Sequence, residues 1–154
     1  MVEPPQIVET ADRLTACIPL VVPRAEIQFV MGPSLRELYA TLAAQGIAPA
    51  GPWLTHHRRR PSDTFDFAVS VPVHTPVAPS GRVIPGRLAA ARVARTVYGG
   101  PYEGLAGAWG ELTAWVASRG LARCEDLWEA YLVGPESGRD PAAWRTELNQ
   151  PLAD

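Results

Sequence analysis

The residues best suited by type and spacing to do chemistry lie in the stretch Asp126-Leu127-Trp128-Glu129-Ala130-Tyr131-Leu132-Val133. Aromatic and aliphatic residues dominate it and Gly134-Pro135 ends it, so it predicts a strand. Alternation places Glu129, Tyr131 and Val133 on one face and Trp128, Ala130 and Leu132 on the other. A carboxylate thus sits among apolar neighbours. Burial of an ionised carboxylate costs several kcal/mol unless it pairs, binds a cation or raises its pKa. Glu129 is therefore the first candidate for function. Its structural alternatives are a solvated sheet edge or an ion pair with an arginine of a neighbouring strand.

Other groups carry less. His56-His57-Arg58-Arg59-Arg60 is a dense basic run, but its place between two strands reads as a solvated connection. His74 has no acid or cysteine at metal-ligand spacing, so no metal site is expected. Ser34, Ser62 and Ser70 lack a nucleophile-elbow context. Gly99-Gly100 precedes a helix without the lysine and further glycines of a phosphate loop. Trp109 and Trp115 fall on a helical apolar stripe and read as core, as does Trp128, opposite Glu129. Trp53 is the tryptophan placed nearest a ligand. Glu147 shares a face with Arg145 and Asn149 and reads as a solvated or ion-paired surface residue.

The elements that position these residues follow from periodicity. Residues 13–22 predict a strand ended by Pro23, and residues 25–30 its continuation or a lead-in. Gly32-Pro33-Ser34 then starts a helix, with Ser34 and Glu37 at capping-box spacing and Gly46 as its stop. Residues 53–56 and 64–73 predict two strands. Residues 75–87 hold Pro76, Pro79, Gly81, Pro85 and Gly86 and read as a linker. A strand over 88–98 follows, then a helix opened by Gly99-Gly100-Pro101, with Pro101 at its first position. Leu105, Ala108, Trp109, Leu112, Trp115 and Val116 mark its apolar face and Gly120 ends it. The Glu129 strand and a last strand over 144–149 complete the chain.

These two passes resemble each other. Gly32-Pro33 answers Gly100-Pro101, Gly46-Ile47 answers Gly120-Leu121, Trp53-Leu54 answers Trp128-Glu129, and Pro72-Val73 answers Pro151-Leu152, at separations of 68, 74, 75 and 79 residues. A strand-helix-strand-strand unit therefore occurs twice, over about 13–74 and 88–152. The expected fold is α+β, with antiparallel sheets, duplicated units around a pseudo-twofold axis and a ligand cleft between them.

A chain of 154 residues makes one domain or two small halves, and 47% apolar residues exclude disorder. A formal net charge of -2 gives no global reason to expect nucleic acid as a partner. Cys17 and Cys124 lack a CxxC spacing and read as thiols in a reducing compartment. The acidic, proline-bearing N-terminus has no apolar run, so neither a signal peptide nor a membrane span is expected, and a cytoplasmic protein is.

Gly81-Arg82-Val83-Ile84-Pro85-Gly86, Gly99-Gly100-Pro101-Tyr102, Trp128-Glu129-Ala130-Tyr131-Leu132 and Trp144-Arg145-Thr146-Glu147-Leu148 resemble the GyrI-like small-molecule-binding family, the bacterial transcription activator effector-binding domain. The resemblance covers nearly the whole chain and is strongest from Gly81 onward. It implies a duplicated strand-helix-strand-strand fold and an aromatic-walled cleft with a buried acid favouring lipophilic, cationic or aromatic molecules, for xenobiotic sensing or sequestration. Glu129 would be that acid, with Tyr131 beside it and Tyr102 as a wall or hydrogen-bonding partner. No cofactor is implied. The chain does not show the helix-turn-helix segment of the larger regulators, so a stand-alone domain acting through a regulator or gyrase partner is expected. Two further functions are implied by relatives. One is hydrolysis of the cyclopropane ring of DNA-alkylating natural products, with Glu129 and Tyr131 as the catalytic pair; the other is a protein-interaction module of the gyrase-inhibitor type.

Overall fold

The computed structural model describes residues 2–153. The chain is α+β and its strands pair antiparallel. It divides into two compact units, one of residues 11–90 and one of residues 91–153 joined by the first ten residues.

In the unit of residues 11–90, β2 (Arg13–Pro23), α1 (Ile27–Ala44), β3 (Leu54–His57) and β4 (Thr64–Val73) follow in order, and β5 (Ile84–Leu88) closes it. The sheet runs β3-β4-β2-β5. Phe67, Val69, Val71 and Val73 on β4 alternate onto the face covered by Leu38 and Leu42 of α1, and Ala16 and Ile18 of β2 join them. This is the period-2 and period-3.6 pattern meeting in one core.

The helix begins earlier than its sequence suggests. Residues 25–30 are not strand: a short 3-10 turn at Arg24–Glu26 runs directly into α1, and Pro33 lies inside it. An interior proline costs roughly 3 kcal/mol. Ile27, Val30, Met31 and Leu35 pack on the core, and their burial outweighs that cost. Ser34 is consequently a buried helix residue rather than a cap, and Glu37 turns outward to Arg82 Nη2 at 2.8 Å.

The linker expected over 75–87 is built into the unit. Its residues from Ile84 onward form β5, where an edge position tolerates Pro85. Gln45 clamps the connection, its side chain donating to Ala78 O and accepting from Ala78 N at 2.8 Å each.

In the other unit, β6 (Arg92–Gly99), α2 (Leu105–Ser118), β8 (Leu127–Val133) and β9 (Arg145–Ala153) repeat the strand-helix-strand-strand order. The sheet runs β8-β9-β6-β1, with β1 spanning Gln6–Glu9, and the short β7 (Ala122–Arg123) pairs with the end of β9. Its edge strand β1 lies in what reads from sequence as a tail, four residues being too few to show alternation. The strand expected over 88–98 is broken at 89–91, so Leu88 ends β5 and β6 begins at Arg92. The last strand continues through Pro151 to Ala153.

Both helices end alike. Gly46 and Gly120 take φ of 68° and 67°, which only glycine adopts without strain. Ile47 N and Leu121 N then close onto Leu42 O and Val116 O. The Gly32-Pro33 and Gly100-Pro101 pairs do not correspond in this way. The first lies within α1 and the second before the 3-10 turn Tyr102–Gly104 that leads into α2, so Pro101 is not the first helical residue either.

Candidate functional site

Strand β8 carries Glu129 and Tyr131 on the face covered by α2. Glu129 pairs with Leu148 and Tyr131 with Thr146 of β9, and Leu148 belongs to the core beneath Ala108, Leu112 and Val116. Glu129 is therefore not at a solvated edge. Trp109 of α2 donates from Nε1 to Glu129 Oε2 at 2.6 Å, and Tyr131 Oη donates to Oε1 at 2.7 Å. Each carboxylate oxygen holds one short hydrogen bond.

Among the described residues no arginine or histidine pairs with Glu129. The residue is half-buried, keeping some surface, while its carboxyl group sits deep among protein atoms. Burial raises its pKa above the ordinary glutamate value, against the two hydrogen bonds from Tyr131 and Trp109, which lower it. Desolvation outweighs both bonds. No nearby positive charge contributes.

Aromatic side chains extend from this acid. The Tyr102 ring meets Tyr131 edge-on at 5.9 Å and lies against Trp144 at 4.9 Å between centroids. The loop holding Tyr102 is pinned from both sides, Tyr98 Oη donating to Pro101 O at 2.7 Å and Gly100 N to Trp144 O at 3.0 Å. Tyr102 Oη is buried and unpartnered among the described residues. Burial, then the charges of Glu136 and Glu129, push its pKa up to about 12, so it remains a hydroxyl at neutral pH.

Of the sequence candidates, Glu129, Tyr131 and Tyr102 come together in one unit. Trp53 stands in the other, packed on the core of residues 11–90. Trp128 is buried on the opposite face of β8. Glu147 meets Arg95 Nε at 3.5 Å and Asn149 Nδ2 at 3.1 Å. Sequence reasoning passes over two residues, Trp109, which it assigns to the core, and Glu136, to which it gives no role; Trp144 is one of three strand tryptophans that it allows to line a cleft. For Trp109 there was a usable sign. An indole N–H on the apolar stripe of a helix needs an acceptor, and the strand it was to cover held a lone acid.

Register also corrects the internal alignment. Leu54 pairs with Ser70 and Trp128 with Asn149, each two residues before a proline of its partner strand, Pro72 or Pro151. Leu54 thus answers Trp128, not Glu129, and a slip of one residue exchanges the faces. The stations of Glu129 and Tyr131 in the first unit belong to Thr55 and His57. His57 is buried with Nδ1 unpartnered, stacked on Phe67 at 5.2 Å. Burial, with His56 adding, pushes its pKa down to about 4.

No group of three or more His, Cys, Asp or Glu among the described residues is arranged to hold a metal ion. None of their helices is long and apolar enough to cross a membrane.

Solved structures share the fold. The EcmrR C-terminal domain superposes with a TM-score of 0.85 at 20% identity, covering 98% of each chain. EcmrR in a cryo-EM complex with DNA gives 0.86 at 19% identity over 99% of this chain, which spans only 58% of the EcmrR chain. A hydrolase from Listeria innocua gives 0.69 at 13% identity, covering 97% of this chain and 91% of its own. SAV2435, bound to tetraphenylphosphonium, gives 0.65 at 12% identity, covering 98% and 94%. At these identities the likeness is one of fold. No curated protein sequence matches the chain. Residues 3–153 match the GyrI-like small molecule binding domain, and the chain belongs to that family of small-molecule-binding domains.

Proposed function

We propose that the chain binds lipophilic, aromatic cations at Glu129, in a xenobiotic-sensing or sequestering role. The observation that carries this reading is an acid on a helix-covered strand face with two neutral donors and no cationic partner among the described residues. A strongly hydrated cation would surrender too much solvation to reach it. A soft organic cation loses little, gains the Coulomb attraction of Glu129, and meets the faces of Tyr102, Tyr131 and Trp144. The tetraphenylphosphonium on SAV2435 is a ligand of this chemistry in a protein of the same fold.

Calorimetric titration with tetraphenylphosphonium tests it. Wild type should bind, and Glu129→Gln should bind at least tenfold more weakly, about 1.4 kcal/mol. Equal affinity in the two proteins, each shown to be folded, refutes the role of the acid.

A second reading is hydrolysis of a ring-strained electrophile. The raised carboxyl pKa of Glu129 and its bond from Tyr131 favour it, since burial that holds a carboxyl above its ordinary pKa makes it a better general acid or base. The solved Listeria innocua hydrolase has the same fold. Turnover of a cyclopropane-bearing electrophile by wild type, lost in Glu129→Gln, would establish it.

A further inference from the structure

We infer that the ligand class narrows to aromatic cations bearing a second positive charge, with Glu136 receiving that charge; this rests on the reading of Glu129 as the cation-binding acid. β8 turns at Gly134 into the short 3-10 turn Pro135–Ser137, which carries Glu136. A Cβ on Gly134 would stand 2.8 Å from Tyr102 Oη and 2.9 Å from Glu136 Oε2. The bare backbone there lets the tyrosine hydroxyl and the second carboxylate converge on one point. The order along the site is then inner acid Glu129, the rings of Tyr131, Tyr102 and Trp144, and outer acid Glu136.

Neither acid is neutralised among the described residues. Glu136, like Glu129, forms no ion pair among the described residues. Arg145, next to Trp144 in the chain, directs its guanidinium to the carbonyls of Ala142 and Trp144 at 3.2 and 2.8 Å. Both carboxylates act on the Tyr102 hydroxyl, which has no partner of its own. A buried hydroxyl left unmatched carries a desolvation cost that a polar ligand group reaching past the rings would remove. A single charge leaves the outer acid unmatched, whereas a flat dication meets both acids and the rings between them. Glu136 is exposed, so its contribution is modest and screened by salt.

Ethidium and propidium separate the cases. They share a phenanthridinium ring system, and propidium adds a quaternary ammonium on a short arm. Fluorescence titration at low salt should show propidium binding wild type about fivefold tighter than ethidium, the scale of one exposed ion pair. Glu136→Gln should abolish that advantage by weakening propidium more than ethidium, and Glu111→Gln, an exposed acid on α2, should leave the advantage intact. Raising salt to 0.5 M should shrink it. Equal affinities for the two dyes, an advantage that survives Glu136→Gln, or one lost equally in Glu111→Gln overturns the inference. If ethidium binds and needs Glu129 while propidium gains nothing, only the dication class falls. If neither dye binds, the cation-binding reading falls with it.

Discussion

Replacing Glu129 by glutamine should make the protein more stable at neutral pH while abolishing its proposed function. Glutamine keeps the shape and both bonds, its carbonyl accepting from Trp109 Nε1 and its amide donating to Tyr131 Oη, which can accept. What it removes is the charge. Two short hydrogen bonds stabilise that charge, yet burial still drives the carboxyl pKa upward, so the ionised form is worse off folded than unfolded. A gain in stability is therefore expected near pH 7, read as a higher urea midpoint and a higher Tm for the variant. The sign with pH is fixed by linkage. An acid whose folded pKa lies above its unfolded value binds more protons folded, so its contribution to stability falls as pH rises through that window. The gain from Glu129→Gln should therefore be full above the folded pKa and vanish below about pH 4. Urea denaturation of both proteins at pH 4 and pH 7.5 measures it, other titrations cancelling in the difference. A variant less stable than wild type at pH 7.5, or a gain independent of pH, would mean that Glu129 is a satisfied structural carboxylate.

Three other outcomes are expected. His57, buried neutral with a pKa near 4 against 6.5 unfolded, binds fewer protons folded, so its contribution is full above about pH 6.5 and is lost as pH falls toward 4. That loss amounts to about 3 kcal/mol, and His57→Leu should flatten the acid limb of a stability-pH curve. Gly134→Ala would set a methyl 2.8 Å from Tyr102 Oη, so it should weaken ethidium binding more than threefold while changing urea stability by less than about 1 kcal/mol. Gly46→Ala and Gly120→Ala should each cost about 1 kcal/mol, because both glycines hold φ near 67° at a helix end, and a double variant should show the sum.

The parts of the fold legible in the sequence were those whose periodicity is strong and local. Residues 64–73 alternate cleanly and form β4 with the expected bounds, and both terminal glycines of the helices stood out because left-handed backbone leaves few other choices. What escaped depended on partners far away in the chain. Gly32-Pro33-Ser34 carries a helix-start pattern, but the apolar residues preceding it find the core first and extend α1 backward through the proline. β1 and β5 are strands because β6 and β2 have edges to fill. At the site, alternation alone placed Glu129 and Tyr131 on one face. The second donor, Trp109, came from α2, and the walls came from the turn before α2, which holds Tyr102, and from Trp144 just before β9, which no pattern within the strand reveals.

The two units share an order of elements, yet only one holds an acid at this station, and that difference sets a stoichiometry. Counting back eleven residues from Gly46 and Gly120 places Leu35 where Trp109 stands. Leu35, Thr55 and His57 therefore replace Trp109, Glu129 and Tyr131, and an aliphatic side chain, a hydroxyl and a neutral imidazole cannot hold a cation as a carboxylate does. The apolar packing on His57, from Phe65 at 5.8 Å and Phe67 at 5.2 Å, keeps it uncharged well below neutral pH, so it would neither attract nor repel a cation by charge. One ligand per chain is the consequence. Calorimetry with ethidium should give a stoichiometry near one, and Glu129→Gln should remove that site without exposing a second. Two sites of comparable affinity would show that an acid is not what the site requires.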